Sequence, residues 1–101
     1  MIALDFAFTS ELWEWGTEKG SWHFLTLPED VSEDIKAFAS ESRRGFGSVR
    51  VRAEIGGTAW ATSIFPNKER RAFILPVKAA VRKAESLAKG DMTDIRIEID
   101  P

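Results

Sequence analysis

Basic side chains that could bind an anion are concentrated in the middle of the chain. The segment RRGFGSVRVRAEIGGTAWATSIFPNKERR, residues 43–71, holds seven of the fourteen lysines and arginines. A small anion or an acidic partner needs only two or three converging cations. We therefore predict a ligand-binding surface in this region and the helix that follows it. Its candidate residues are Arg44, Arg50, Ser63, Lys78 and Arg82.

The charges are segregated along the chain, although the net charge is only −2. Residues 1–42 carry nine acidic and two basic side chains, residues 43–89 carry three and eleven, and residues 90–101 carry four and one. These segments either neutralise one another after folding or leave an electropositive face. The acidic pI of 5.4 argues against nucleic acid, which needs several phosphate contacts from one continuous basic surface. A small anion or an acidic protein partner fits better.

An aromatic wall is the second candidate site. Trp13, Trp15 and Trp22 fall on the two strands of one predicted hairpin and could line a cavity for a small molecule. The competing interpretation is that these rings only pack against neighbouring side chains. Trp60 is predicted to point into the core.

The composition excludes or disfavours several kinds of catalytic and metal site. The chain has no cysteine, so disulfides, thiolate chemistry and zinc–thiolate sites are excluded. His23 is the single histidine, and we expect a structural role for it. The pairs Glu29-Asp30 and Glu33-Asp34 are expected on the first turns of a helix, where carboxylates interact favourably with the helix dipole. We assign no catalytic residue, no metal site and no cofactor.

The first half of the chain predicts two strands and a helix. LDFAFTSELWEW is a strand candidate in which the apolar alternation changes phase, which indicates either a bulge near Thr9–Ser10 or burial on both faces. SWHFLTL is its return strand. In PEDVSEDIKAFASES the residues Val31, Ile35 and Phe38 follow helical spacing, and Pro28 suits the first helical turn.

The second half predicts a hairpin, a short strand, a helix and a last strand. The pair Gly56-Gly57 is typical of a two-residue hairpin loop. The resulting register directs Ala53 and Trp60 inward, whereas Arg50 pairs with Ser63 on the outer face. AFILP then forms a buried strand, PVKAAVRKAESLAKGD a helix that Gly90 ends, and DIRIEI an alternating strand.

About six strands and two short helices predict a mainly β fold. We expect residues 1–101 to form a single domain, a small β-barrel, closed or half-closed and capped by the two helices. An open antiparallel sheet with both helices on one face is the alternative.

Three stretches resemble a known bacterial family. ELWEW…GSWHFLTLPEDVSEDI, RRGFGSVRVRAEIGGTAWATSIFP and FILPVKAAVRKAESLAKGD are similar to domain of unknown function 1905, over about Leu4–Asp100. The resemblance implies a small barrel of the double-split type capped by helices, and no established activity. LPVKAAVRKAESLAKGDMTDIRIEI is also similar to the strand–Pro–helix–Gly-Asp–strand unit of AbrB/MazE-type transcription regulators. That second resemblance implies DNA binding as an alternative.

These observations favour a non-catalytic binding module for an anionic ligand or an acidic partner. A DNA-binding or antitoxin-like regulator is the first alternative, and a small-molecule enzyme with an aromatic-walled pocket is the second. The sequence has no apolar run long enough for a membrane helix and no secretory signal pattern, so we expect a cytoplasmic protein. We expect a monomer or a weak homodimer.

Overall fold

A computed structural model describes residues 4–42 and 47–99, without the side chains of residues 40–42. This part of the chain forms seven strands and two helices. The strands are β1 (Asp5–Glu11), β2 (Trp13–Thr17), β3 (Gly20–Thr26), β4 (Val49–Ile55), β5 (Thr58–Asn67), β6 (Ala72–Pro76) and β7 (Met92–Ile99), and the helices are α1 (Glu29–Ser42) and α2 (Ala79–Ala84). One antiparallel sheet has the strand order β1-β7-β4-β5-β6-β3-β2. The prediction of a mainly β fold with two helices is confirmed.

The predicted first strand is divided into two at Leu12. This residue is fully buried, its N–H donates to the carbonyl of Asp91 at 2.9 Å, and its carbonyl accepts from the N–H of Gly90 at 2.8 Å. β1 pairs with β7 in an unbroken register from Asp5 to Glu11, so the bulge predicted near Thr9–Ser10 is not present there, and the described residues form seven strands instead of six. The two strands that Leu12 joins are the two edges of the sheet.

Because one residue connects the edge strands, the sheet must curl until its edges approach each other. The hydroxyl of Ser10 on β1 donates to the carbonyl of Thr26 at 2.8 Å, which joins one edge strand to β3, the neighbour of the other edge strand. The result is a curled half-barrel with the apolar core inside it. The double-split type implied by the resemblance stays a prediction.

The β4–β5 hairpin has the register that the glycine pair predicts. Ile55 lies opposite Thr58 and Ala53 opposite Trp60. Alternate residues of β4 are buried, and Trp60 is 8% exposed, so the prediction that this tryptophan belongs to the core is confirmed. β5 extends past Val49, the first residue of β4, and pairs there with β6. β5 therefore connects the two halves of the sheet.

Helix α1 packs its apolar stripe against the sheet as predicted. Ile35 is fully buried, and Val31 and Phe38 pack against the core. The buried hydroxyl of Ser32 accepts a hydrogen bond of 3.0 Å from the backbone N–H of Phe73 on β6. This bond joins the helix to the strand and fixes the position of α1 beside the loop between β5 and β6.

Helix α2 is shorter than predicted, because it ends before Ser86 and not at Gly90. Ser86 has a left-handed backbone with φ 54°, its N–H donates to the carbonyl of Lys83, and the N–H of Leu87 donates to the carbonyl of Arg82 at 2.8 Å. These two bonds are the Schellman arrangement that ends many helices.

The C-cap residue of α2 makes a tertiary contact. The carboxylate of Glu85 accepts a hydrogen bond of 2.6 Å from the hydroxyl of Thr58 at the β4–β5 turn. Neither helix of the described chain is long and apolar enough to cross a membrane.

Candidate functional site

Two of the predicted ligand-binding residues lie opposite each other on the outer face of the sheet. Arg50 on β4 pairs with Ser63 on β5, and the Arg50 side chain is exposed. Within the described residues, Arg50 forms no ion pair. Arg44 falls outside the described residues.

The other two predicted residues belong to α2 and its N-terminus. Lys78 is exposed, whereas Arg82 is half-buried and its Nε donates to the carbonyl of Val77 at 3.1 Å. Helix α2 contacts the β4–β5 turn through Glu85. That turn lies six residues along β4 from Arg50, a distance of about 20 Å in an extended strand. Among the described residues, no side-chain hydrogen bond or ion pair joins Arg50 or Ser63 to Lys78 or Arg82, and their shared site stays a prediction.

The three tryptophans of the predicted aromatic wall lie on one face of the β2–β3 hairpin. Trp15 is opposite Trp22, with ring centroids 5.4 Å apart, and Trp13 is opposite Phe24 at 5.0 Å. Trp15 is 53% exposed and Trp22 is 51% exposed. None of the three clefts described for this structure is lined by a tryptophan, so these rings form an open surface. We call it the aromatic face: Trp13, Trp15, Trp22 and Phe24.

Arg70 completes the aromatic face, although the sequence did not assign it there. Its guanidinium carbon lies 3.7 Å from the centroid of the Trp13 ring, which is a cation–π contact. The Trp13 indole N–H donates to the hydroxyl of Thr26 at 2.9 Å, and an Arg70 N–H donates to the same oxygen at 3.3 Å. Arg70 comes from the loop between β5 and β6, which no local pattern connects to the first hairpin.

A cleft of about 620 Å³ lies between α1 and the β5–β6 loop, and we call it the basic cleft. Its apolar lining includes Pro66, Ala72 and Phe73. Its charged lining consists of Lys36 from α1, Lys68 and Arg71 from the loop, and one carboxylate, that of Glu33. In the part of the chain that the structure describes, none of these three cations forms an ion pair.

The basic cleft has an excess of positive charge over an apolar floor. The loop between β5 and β6 turns tightly, since the Arg70 N–H donates to the Asn67 side-chain oxygen at 2.9 Å and Arg71 has φ 53°. This turn directs Lys68 and Arg71 to the cleft. The arrangement can bind an anion by charge-assisted hydrogen bonds.

The charges on β1, β4 and β7 neutralise one another instead. Arg96 forms an ion pair with Asp5 in which Nε lies 3.0 Å from a carboxylate oxygen. The hydrogen bond to Arg96 lowers the pKa of the Asp5 carboxyl below its ordinary value. Arg52 lies directly opposite Glu98, and Arg96 opposite Glu54. This surface stabilises strand pairing and is a poor anion site.

His23 lies beside the carboxylate of Glu14. The His23 Nε2 is 3.5 Å from one carboxylate oxygen of Glu14. The other oxygen of this carboxylate lies 3.9 Å from the Lys89 ammonium nitrogen. The His23 backbone carbonyl accepts the N–H of Val77 at 2.9 Å, which ties β3 to the segment before α2. Among the described residues, no three side chains of the metal-binding types lie close enough to hold a metal ion.

The basic cleft and the aromatic face both lie within one stretch of sequence that matches a family model. The family model for the domain of unknown function DUF1905 matches residues 8–97. The chain belongs to this family. The DUF1905 match includes every residue of the basic cleft and of the aromatic face. No curated protein matches this DUF1905 chain.

The sequence pattern identified the basic loop of this DUF1905 domain but not its partner. Residues 68–71 are visibly basic and lie between two strands. Lys36 is an isolated cation on an otherwise acidic helix, so only the packing of α1 against β6 brings it to the loop.

Proposed function

We propose that this domain is a non-catalytic binding module, and that the basic cleft binds its anionic ligand. The observation that carries the proposal is the convergence of Lys36, Lys68 and Arg71 on one concave surface. These cations have no carboxylate within ion-pair distance among the described residues. Unpaired cations around an apolar floor are suited to a ligand that is anionic and partly apolar.

The location differs from the first expectation in one respect. Arg50, Lys78 and Arg82 were predicted to share a site, whereas the basic cleft is lined by Lys36, Lys68 and Arg71. The basic cleft takes Lys68 and Arg71 from the same basic segment, residues 43–71, and adds Lys36 from α1. The cytoplasmic location and the monomeric or weakly dimeric state stay predictions.

A charge-reversal experiment tests the proposal with inorganic tripolyphosphate as the probe. Lys68→Glu combined with Arg71→Glu is expected to weaken binding measured by calorimetry, by about tenfold for each lost contact. Lys78→Glu combined with Lys83→Glu makes the same change in net charge on exposed positions of α2 and serves as the control. Binding by the control is expected to stay within about twofold of the unmodified chain, because the remaining effect is screened by salt.

Equal weakening by both double variants would show that tripolyphosphate responds only to net charge, and the proposal would be wrong. Loss in the α2 variant alone would place the ligand near Lys78. Circular dichroism of both variants establishes that the fold is retained.

A further inference from the structure

We infer that the anionic ligand of this domain is single-stranded nucleic acid, with phosphates bound in the basic cleft and bases stacked on the aromatic face. The inference rests on the proposed function, since it identifies the ligand class of the same cleft. It adds the aromatic face, which the anion proposal does not use.

The aromatic face has the geometry of a stacking platform. Trp15 and Trp22 each expose about half of their surface, and their ring planes are inclined at 38° to each other. Adjacent exposed apolar side chains often mark a surface that binds a ligand or a partner. Trp13 and Phe24 support the exposed pair from the next row of the hairpin.

The charge around the aromatic face suits a polyanion. The side chains of β2 and β3 that share this face include no carboxylate, since Thr17, Gly20 and Thr26 complete it beside the aromatic rings. Arg70 covers the Trp13 ring and has no ion pair among the described residues. Glu14 belongs to the opposite face of the hairpin, where it lies beside His23.

The β5–β6 loop makes the two surfaces continuous. Its neighbouring residues Arg70 and Arg71 have different partners, because Arg70 lies on Trp13 whereas Arg71 lines the basic cleft. Phosphates in the cleft would therefore be followed directly by bases on the tryptophans. Binding of single strands commonly combines a positive groove with aromatic side chains on which bases stack.

A duplex does not fit this surface, because its bases already stack on one another and present only their edges in the grooves. Only an unpaired base can place its ring against an exposed indole. The acidic overall charge, which argued against nucleic acid, matters less for a short single strand that is bound by local cations and stacking.

Fluorescence titration with an oligothymidylate of about twelve nucleotides tests the inference. Stacking is expected to quench emission from Trp15 and Trp22. An abasic oligonucleotide of equal length has the same phosphates and is expected to bind at least about tenfold more weakly. Trp15→Ala combined with Trp22→Ala should remove this advantage without weakening tripolyphosphate binding. Met92→Ala, an exposed apolar side chain on β7, is the control and should retain it.

The outcomes separate the inference from the proposed function. Equal affinity for the thymidylate and abasic strands, equal affinity for a duplex, or an unaffected tryptophan variant would overturn the inference. In each case cleft-dependent binding of tripolyphosphate would leave the proposed function standing. A change of oligomeric state in the tryptophan variant, without a change in thymidylate affinity, would instead make this face a contact between copies. No binding of either probe would overturn both.

Discussion

The hydrogen bond between Ser32 and Phe73 is a sensitive test of how the basic cleft is built, since both residues line it. Ser32→Ala removes the acceptor and leaves the buried Phe73 N–H without a partner, which costs about 1–3 kcal/mol. Alanine gains about 0.5 kcal/mol over serine in a helix, which partly offsets this cost. We expect a net loss of about 1.5 kcal/mol, which corresponds to a fall in Tm of about 6–12 °C for a domain of this size.

Urea unfolding followed by tryptophan emission measures this loss, and hydrogen exchange of the Phe73 amide reports it locally. Ser21→Ala removes an exposed serine from β3 and is expected to change the free energy of unfolding by less than about 0.5 kcal/mol. Tripolyphosphate binding should also weaken, because α1 is held less firmly beside the loop. If Ser32→Ala is as stable as the unmodified chain and Phe73 exchanges at the same rate, the bond does not position the helix.

Three further substitutions test particular turns and charges. Gly56→Ala is expected to destabilise the fold by about 1–3 kcal/mol in urea unfolding, because Gly56 has φ 57° and an added Cβ would collide with the Glu85 carboxylate. The control Gly57→Ala places its Cβ in open space and should be nearly neutral. Arg96→Gln should raise the pKa of Asp5 toward 3.8 in an NMR titration. A carboxyl whose pKa is lowered in the folded state stabilises the fold above its unfolded pKa, and this stability is lost as the pH falls through its folded pKa. The variant should therefore lose less stability than the unmodified chain on acidification below about pH 4. An unchanged Asp5 titration would contradict the pairing of Asp5 with Arg96. Ser86→Gly should stabilise the fold by about 0.5–1 kcal/mol, since glycine adopts the left-handed backbone without strain, and a destabilised variant would contradict the assigned helix end.

Local sequence pattern was sufficient where interacting residues are close along the chain. The alternation of β4 and β5 around Gly56-Gly57 predicted every pair of that hairpin, because a two-residue turn permits one register with the apolar face inward. The spacing of Val31, Ile35 and Phe38 likewise predicted the buried stripe of α1. The pairing of Trp15 with Trp22 is also local, because a short hairpin joins the two residues.

Long-range packing decided the features that the pattern missed. The division of the first strand at Leu12 depends on backbone bonds to Gly90 and Asp91, almost eighty residues away. Helix α2 ends in a left-handed backbone at Ser86, next to the residue that contacts Thr58, so the glycine at position 90 was a misleading stop signal.

The sequence by itself determined the chemistry that this domain can offer, namely a basic middle segment, clustered tryptophans and no thiol or multi-histidine site. Tertiary structure decided which of those groups meet. Lys36 joins Lys68 and Arg71 because α1 is bonded to β6, and Arg70 reaches Trp13 because β6 pairs with β3 and β3 with β2. Residue type is a local property, whereas the meeting of distant side chains depends on the free energy of the whole packed core.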